Sequence, residues 1–263
     1  MPNKTALVTG ASEGIGAEFI QILAARGYDL ILVARSEDKL NRLAAKAETE
    51  FNIKCTVIVA DLSQSKAAHN LFQRVHELSL DVNFLVNNAG LLKNGFFTEL
   101  SLEEQEKMIA VNVIALTSLT HLFANYMASK DGGYILNVAS LAGWMAIPNQ
   151  NVYAATKAYV LAFTQALSNE MIAADSGVKI TALCPGYTAT KMMDNPDQGA
   201  TLRIPSSMMM SARDVAEIGI KACLAGKEIV VPGIANKLTC LLYTSDAADE
   251  GLGVDLGGRR IIK

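Results

Sequence analysis

The stretch "TALVTGASEGIG" (residues 5–16) decides how this chain is read. Its opening residues form a short apolar run of strand character. Gly10, Gly14 and Gly16 follow directly, where a helical pattern begins. Glycine turns tightly and lets a backbone come close to a ligand. The start of the helix then offers free N–H groups and the positive end of a dipole, a setting suited to a diphosphate. The spacing is GxxxGxG rather than the commoner GxGxxG. Three glycines in a turn say little alone. With a strand before them and a helix after, they point to a dinucleotide held by Gly10, Ser12, Gly14, Ile15 and Gly16.

Outward from this unit the same alternation continues. Apolar runs recur at residues 29–34, 54–60, 82–88, 133–140, 178–186 and 228–233, separated by polar-apolar stretches of helical length such as "SEDKLNRLAAKAETE" (36–50). Strands alternating with helices predict βαβ units and a parallel sheet. Near-continuous apolar strands predict burial on both faces. No linker, repeat or low-complexity block interrupts the pattern before residue 240. The expectation is one α/β domain over residues 1–239, a Rossmann-type doubly wound sheet of about seven parallel strands with helices on both faces.

Composition narrows the function. A chain of 263 residues with 51% hydrophobic and 19% charged residues can bury a sizeable core and reads as globular. The net charge of −3 gives no electrostatic reason to expect nucleic acid. Cys55, Cys184, Cys223 and Cys240 are scattered without a CxxC pair, so they read as buried apolar residues of a reducing compartment. His69 and His76 could share a helix face, but two ligands without a third make a poor site, and no metal is expected. The N-terminal apolar run is too short for a signal sequence and no run approaches a membrane span, so a cytoplasmic location is expected.

The second strand indicates which dinucleotide to expect. NAD-binding sheets place an acidic residue at its end, for the ribose hydroxyls. Here "LVARSEDKL" (32–40) puts Ala34 at that place and Arg35 after it. The fork of donors on an arginine suits a 2′-phosphate; a surface arginine at a strand end is the plainer alternative. Glu13 pulls the other way, because a phosphate-binding turn gains nothing from a carboxylate. The balance favours NADP(H) over NAD(H).

At "YAATK" (153–157), taken with "TGASEGIG" (9–16), "NNAG" (87–90) and "PGYTAT" (185–190), the chain resembles the short-chain dehydrogenase/reductase family, in order and from about residue 4 to 239. The resemblance implies hydride transfer between a nicotinamide cofactor and a small-molecule carbonyl or secondary alcohol, with Asn112, Ser140, Tyr153 and Lys157 as the catalytic set. Tyr153 and Lys157, four apart in a helical pattern, share one face. A nearby ammonium is expected to lower the tyrosine pKa from its ordinary ~10, making Tyr153 a proton donor in reduction and acceptor in oxidation. The family also uses the matching lysine to hold the nicotinamide ribose. Ser140 ends a strand, where its hydroxyl either bonds the substrate oxygen or bonds its own backbone. Asn112, a polar residue in an apolar helical run, is either a structural amide or, as in the family, the residue that kinks the helix and holds a proton-relaying water. Asp61 and Leu62 match the family's adenine positions, although Asp61 also suits a helix N-terminus. Asn88, Ala89 and Gly90 match the cofactor cleft, and Pro185, Gly186 and Thr188 match the nicotinamide end, with Thr190 as a further contact there.

Two apolar connecting segments are the expected substrate walls: residues 141–149, with Trp144, Met145 and Ile147, and residues 188–210, with Met192, Met193 and Met208–Met210. Methionine adapts to irregular apolar shapes, so a lid over an apolar ketoacyl- or steroid-like ketone is one reading and core packing the other. The helical stretches at 101–129 and 151–175 match those that pair between subunits in the family, which implies a homodimer or homotetramer. A non-catalytic dinucleotide-binding protein is the alternative function; such members usually lose the serine, tyrosine or lysine, and all are present here. The end of the chain changes character: "CLLYTSDAADE" followed by "VDLGGRRIIK" resembles translated sequencing-adapter sequence. Residues 240–263 are therefore expected to be a non-native tail, with the natural C-terminus missing.

Overall fold

The computed structural model describes residues 4–190, 205 and 208–251, and of residues 243–251 only the helical backbone. Strand β1 (Thr5–Thr9) leads through the glycine turn into α1 (Gly14–Ala24). There follow β2 (Asp29–Ala34), α2 (Glu37–Phe51), β3 (Cys55–Val59), α3 (Ala67–Glu77) and β4 (Val82–Asn87). Helix α4 (Leu102–Ile109) passes through a π-helical turn (Ala110–Ala115) into α5 (Leu116–Ala128) and then β5 (Gly133–Val138). A 3-10 turn (Leu141–Trp144) precedes α6 (Asn151–Ala173), β6 (Val178–Leu183) and the two-residue strands β7 (Thr188–Ala189) and β8 (Met210–Ser211). The last elements are α7 (Ala212–Leu224), β9 (Ile229–Val230) and α8 (Ile234–Gly251).

Seven strands form one sheet in the order β3-β2-β1-β4-β5-β6-β9, with every pairing parallel. The pleat sends alternate residues to opposite faces. Ala6, Val8, Leu30, Leu32, Phe84, Val86 and Leu136 meet Phe19, Ile20 and Leu23 of α1, Leu40 of α2 and Val215 and Ile220 of α7. Leu7, Ile31, Val33, Leu85 and Ile135 meet Leu71 and Val75 of α3 and Leu119, Phe123 and Met127 of α5. Both faces are buried, which is why these strands read as unbroken apolar runs. The strand order turns back on itself between β1 and β4, and ligands of such sheets bind in the crevice at that switch point.

Helix Leu102–Ala128, continuous across the π turn, has the length and apolarity of a membrane span, which no run was expected to reach. Half of its apolar window is buried in the domain, as in a core helix. Met192, Met193 and residues 252–263 lie outside the described residues.

Candidate active site

The glycine turn is built so tightly that side chains cannot enter it. Gly10 has φ +63°, and a Cβ there would lie 2.9 Å from Ala89 Cα; a Cβ on Gly16 would run into the Gly10 carbonyl. The turn is pinned to the end of β4 by Asn88, whose Nδ2 donates to Thr9 O at 3.0 Å and to Gly10 O at 3.1 Å. Thr9 Oγ1 accepts from Asn88 N and Ala89 N, each at 3.0 Å. No side chain caps the first turn of α1, so its N–H groups remain available to a ligand.

A cleft of about 370 Å³ opens over this turn. Every residue expected at the diphosphate, ribose and adenine lines it: Gly10, Ser12, Gly14, Ile15, Gly16, Arg35, Asp61, Leu62, Asn88, Ala89 and Gly90. The glycine cradle, the uncapped helix start and Arg35 together fit a dinucleotide. Two polar lining residues, Ser36 and Lys39, escaped the sequence reading, although Lys39 lies only four residues after Arg35. Lys39 Nζ lies 2.7 Å from Glu13 Oε2, and both side chains are about half exposed. The carboxylate that argued against a phosphate ligand is thus matched by a cation from α2. For Asp61, burial works to raise the pKa, but hydrogen bonds from Ser63 and the charge of Arg35 hold the carboxyl below its ordinary range.

A second pocket, of about 160 Å³, adjoins the first and shares Ile15, Asn88, Gly90 and Thr190 with it. Ser140, Tyr153, Lys157, Pro185, Gly186 and Thr188 all line it. Ser140 follows the end of β5 by two residues. Its Oγ accepts from Ala142 N at 3.1 Å, the local backbone bond that was one of its two readings, and its side chain also hydrogen-bonds Tyr153. Lys157, only 4% exposed, donates from Nζ to Val138 O at 2.8 Å and lies 5.7 Å from the centre of the Tyr153 ring. Burial pushes the lysine pKa down to about 8, with Cys184 opposing. The tyrosine departs from expectation. Enclosure of the phenol raises its pKa above 10.0, and the Ser140 hydrogen bond, not the lysine, is what acts downward. An ammonium that is itself poorly solvated and bound to a carbonyl does not offset that burial.

Asn112 occupies the π turn and is fully buried. Its Oδ1 accepts from Leu91 N at 2.8 Å, and its Nδ2 donates to Leu91 O at 2.9 Å and Thr156 Oγ1 at 3.0 Å. The side chain therefore ties the segment after β4 to α6. It also lies beside Lys157: a Cβ on Gly90 would be 3.4 Å from Asn112 Oδ1 and 3.6 Å from Lys157 Nζ.

The expected substrate walls are only partly realised. Met145 and Ile147 line the small pocket. Trp144 does not; its position on the 3-10 turn directs it into a core cluster with Leu116, Val160 and Cys184. Met208 is 62% exposed, and Met210 packs against the main core. Leu92 and Gln150, not anticipated from the sequence, also line the pocket.

Comparison with known proteins agrees with this geometry. Residues 4–200 match the short chain dehydrogenase family. An uncharacterized oxidoreductase of Staphylococcus saprophyticus is 30% identical over 222 residues, covering 84% of this chain and 92% of the relative. The very-long-chain 3-oxoacyl-CoA reductase of Mus musculus is 30% identical over 227 residues, covering 84% of this chain and 70% of the relative. A short-chain dehydrogenase from Sphingobium yanoikuyae, solved in complex with NADPH, superposes with a TM-score of 0.82 at 29% identity, covering 99% of this chain and 98% of that one. The chain is an oxidoreductase and belongs to the short-chain dehydrogenase family.

Proposed function

We propose that this protein is an NADP(H)-dependent carbonyl reductase acting on an apolar ketone, with Tyr153 as the proton donor. The observation that carries the reading is the meeting of Ser140, Tyr153 and Lys157 in a small pocket continuous with the dinucleotide cleft. Gly10, Ser12, Gly14, Ile15 and Gly16 would hold the diphosphate, Asp61 and Leu62 the adenine end, and Lys157, Pro185, Gly186 and Thr188 the nicotinamide end. Arg35, with Ser36 and Lys39, supplies donors and positive charge for a 2′-phosphate. The bound cofactor supplies or accepts a hydride.

The residues of the chain handle the proton. In reduction the Tyr153 hydroxyl gives its proton to the carbonyl oxygen, and in oxidation its phenolate takes one from the alcohol. A raised pKa keeps the phenol protonated at neutral pH, the state that donation needs. Ser140 hydrogen-bonds the same oxygen and stabilises charge that develops there. The Lys157 ammonium stands beside the phenolate when it forms, and Asn112 fixes the elements on either side of it. The apolar rim of Leu92, Met145 and Ile147 favours a hydrophobic substrate, consistent with the ketoacyl substrate of the mouse relative, and a steroid-like ketone suits the same rim. Self-association through the exposed face of α5 and α6 completes the reading.

Tyr153→Phe tests it. The variant should lose at least about a hundredfold in kcat on a ketone panel while binding NADPH as tightly as before, measured by fluorescence titration. Undiminished turnover would remove Tyr153 from the mechanism.

A further inference from the structure

One buried polar side chain in the small pocket has no part in the proton chemistry above. Gln150 lies at the head of α6, three residues before Tyr153, and lines the pocket with Ser140 and Tyr153. It is 9% exposed, and Asn94, from the segment after β4, is 7% exposed. Gln150 Nε2 donates to Asn94 Oδ1 at 2.6 Å. Beside this bond, Gly95 N donates to Asn149 O at 2.9 Å. The two bonds clasp the segment after β4 to the start of α6, so the Gln150 amide is held in one orientation. Among the described residues no donor reaches its Oε1. Nor, among the described residues, is that oxygen one of the polar atoms sealed in the interior without a partner. An acceptor that is neither paired nor sealed, on a residue that lines the pocket, is available to what the pocket binds.

Its position limits what that ligand can be. Residues three apart at a helix start lie on the same side, one turn from each other. Tyr153 would hold the reacting oxygen, so Gln150 meets a substrate group only a few atoms away. We propose that Gln150 is a specificity residue whose amide oxygen accepts a hydrogen bond from a hydroxyl or N–H carried next to the reacting carbonyl. The substrate class is then an apolar ketone with a neighbouring hydrogen-bond donor, an α-hydroxyketone in its simplest form. This rests on the assignment of Tyr153 as proton donor. A pocket built to satisfy such a donor discriminates against an analogue that lacks it, because binding the analogue leaves the buried acceptor unpaired.

The experiment compares phenacyl alcohol, its methyl ether and acetophenone as substrates for the wild type, Gln150→Met and Gln150→Glu, following NADPH oxidation. The wild type should prefer phenacyl alcohol over both others by about tenfold or more in kcat/KM. Gln150→Met, of similar shape but without the amide oxygen, should erase that preference while keeping acetophenone turnover within about twofold. Gln150→Glu retains an acceptor and should retain the preference. Equal turnover of all three by the wild type, or an equal loss on all three in Gln150→Met, overturns the assignment of Gln150 alone. Turnover of none by the wild type overturns it together with the carbonyl-reductase reading.

Discussion

At the scale of the residue, Lys157 shows what burial does to a charge. Its ammonium sits near Gly90 and donates to the Val138 carbonyl, and burial takes its pKa from 10.5 down to about 8. Between those values the unfolded chain binds a proton that the folded chain does not, so stability rises with pH across that window. Below about pH 8 both states hold the proton and the penalty is constant. Tyr153, raised above 10.0, and Cys184, pushed up to about 12, stay neutral through most of the same window. Lys157→Met removes the titration. The unfolding free energy of the wild type relative to this variant should therefore increase on going from pH 8 to 10.5, by a quantity on the order of 3 kcal/mol. Denaturant titrations at a series of pH values measure it, and a difference that does not change with pH would contradict the buried charge.

At the scale of the element, the sequence reading succeeded where burial leaves a periodic trace. Five of the six longer strands are covered by helices on both faces and the edge strand β3 is half-buried, so each appears as an apolar run within three residues of its bounds. The paired strands Thr188–Ala189 and Met210–Ser211 are too short to carry a period, and they were not foreseen. Asn112 stood out as a polar residue among apolar neighbours, and a π turn with three side-chain bonds is what accommodates it. What pattern could not convey was direction: that Trp144 turns into the core, that Lys39 reaches back to Glu13, and that Gln150 finds Asn94 across 56 residues. The end of β2 carries a prediction of its own. Arg35 stands at the start of the β2–α2 connection, close enough to influence Asp61. Arg35→Asp replaces a phosphate ligand with an acceptor for ribose hydroxyls, and should weaken NADPH binding by about tenfold to a hundredfold while strengthening NADH binding. Dissociation constants from fluorescence titration decide it; a wild type that already binds NADH more tightly would remove Arg35 as the selector.

At the scale of the whole molecule, the apolar residues left outside the core suggest how copies of the chain meet. Ile114, in the π turn before α5, is 60% exposed, and Tyr159 on α6 is 39% exposed. They lie on adjoining helices that are tied at the surface by Thr117 Oγ1 and Tyr159 Oη, 3.0 Å apart. Tyr159 is further fixed by stacking on Phe163, ring centres 5.7 Å apart. An ordered aromatic beside an exposed isoleucine is poor surface for water and good surface for a self-complementary contact. In a two-fold interface each residue is buried twice, so an isoleucine worth about 1–2 kcal/mol per copy contributes double. The protein should therefore sediment as a dimer or tetramer at micromolar concentration. Ile114→Glu should weaken that association by at least about tenfold, since it brings two carboxylates towards each other as apolar contact is lost. The substitution is more than half exposed in the single chain, so the variant should keep the wild-type melting temperature when both are compared as monomers. Sedimentation velocity across a concentration series separates the outcomes: a monomeric wild type, or an unchanged assembly in Ile114→Glu, would place any interface elsewhere.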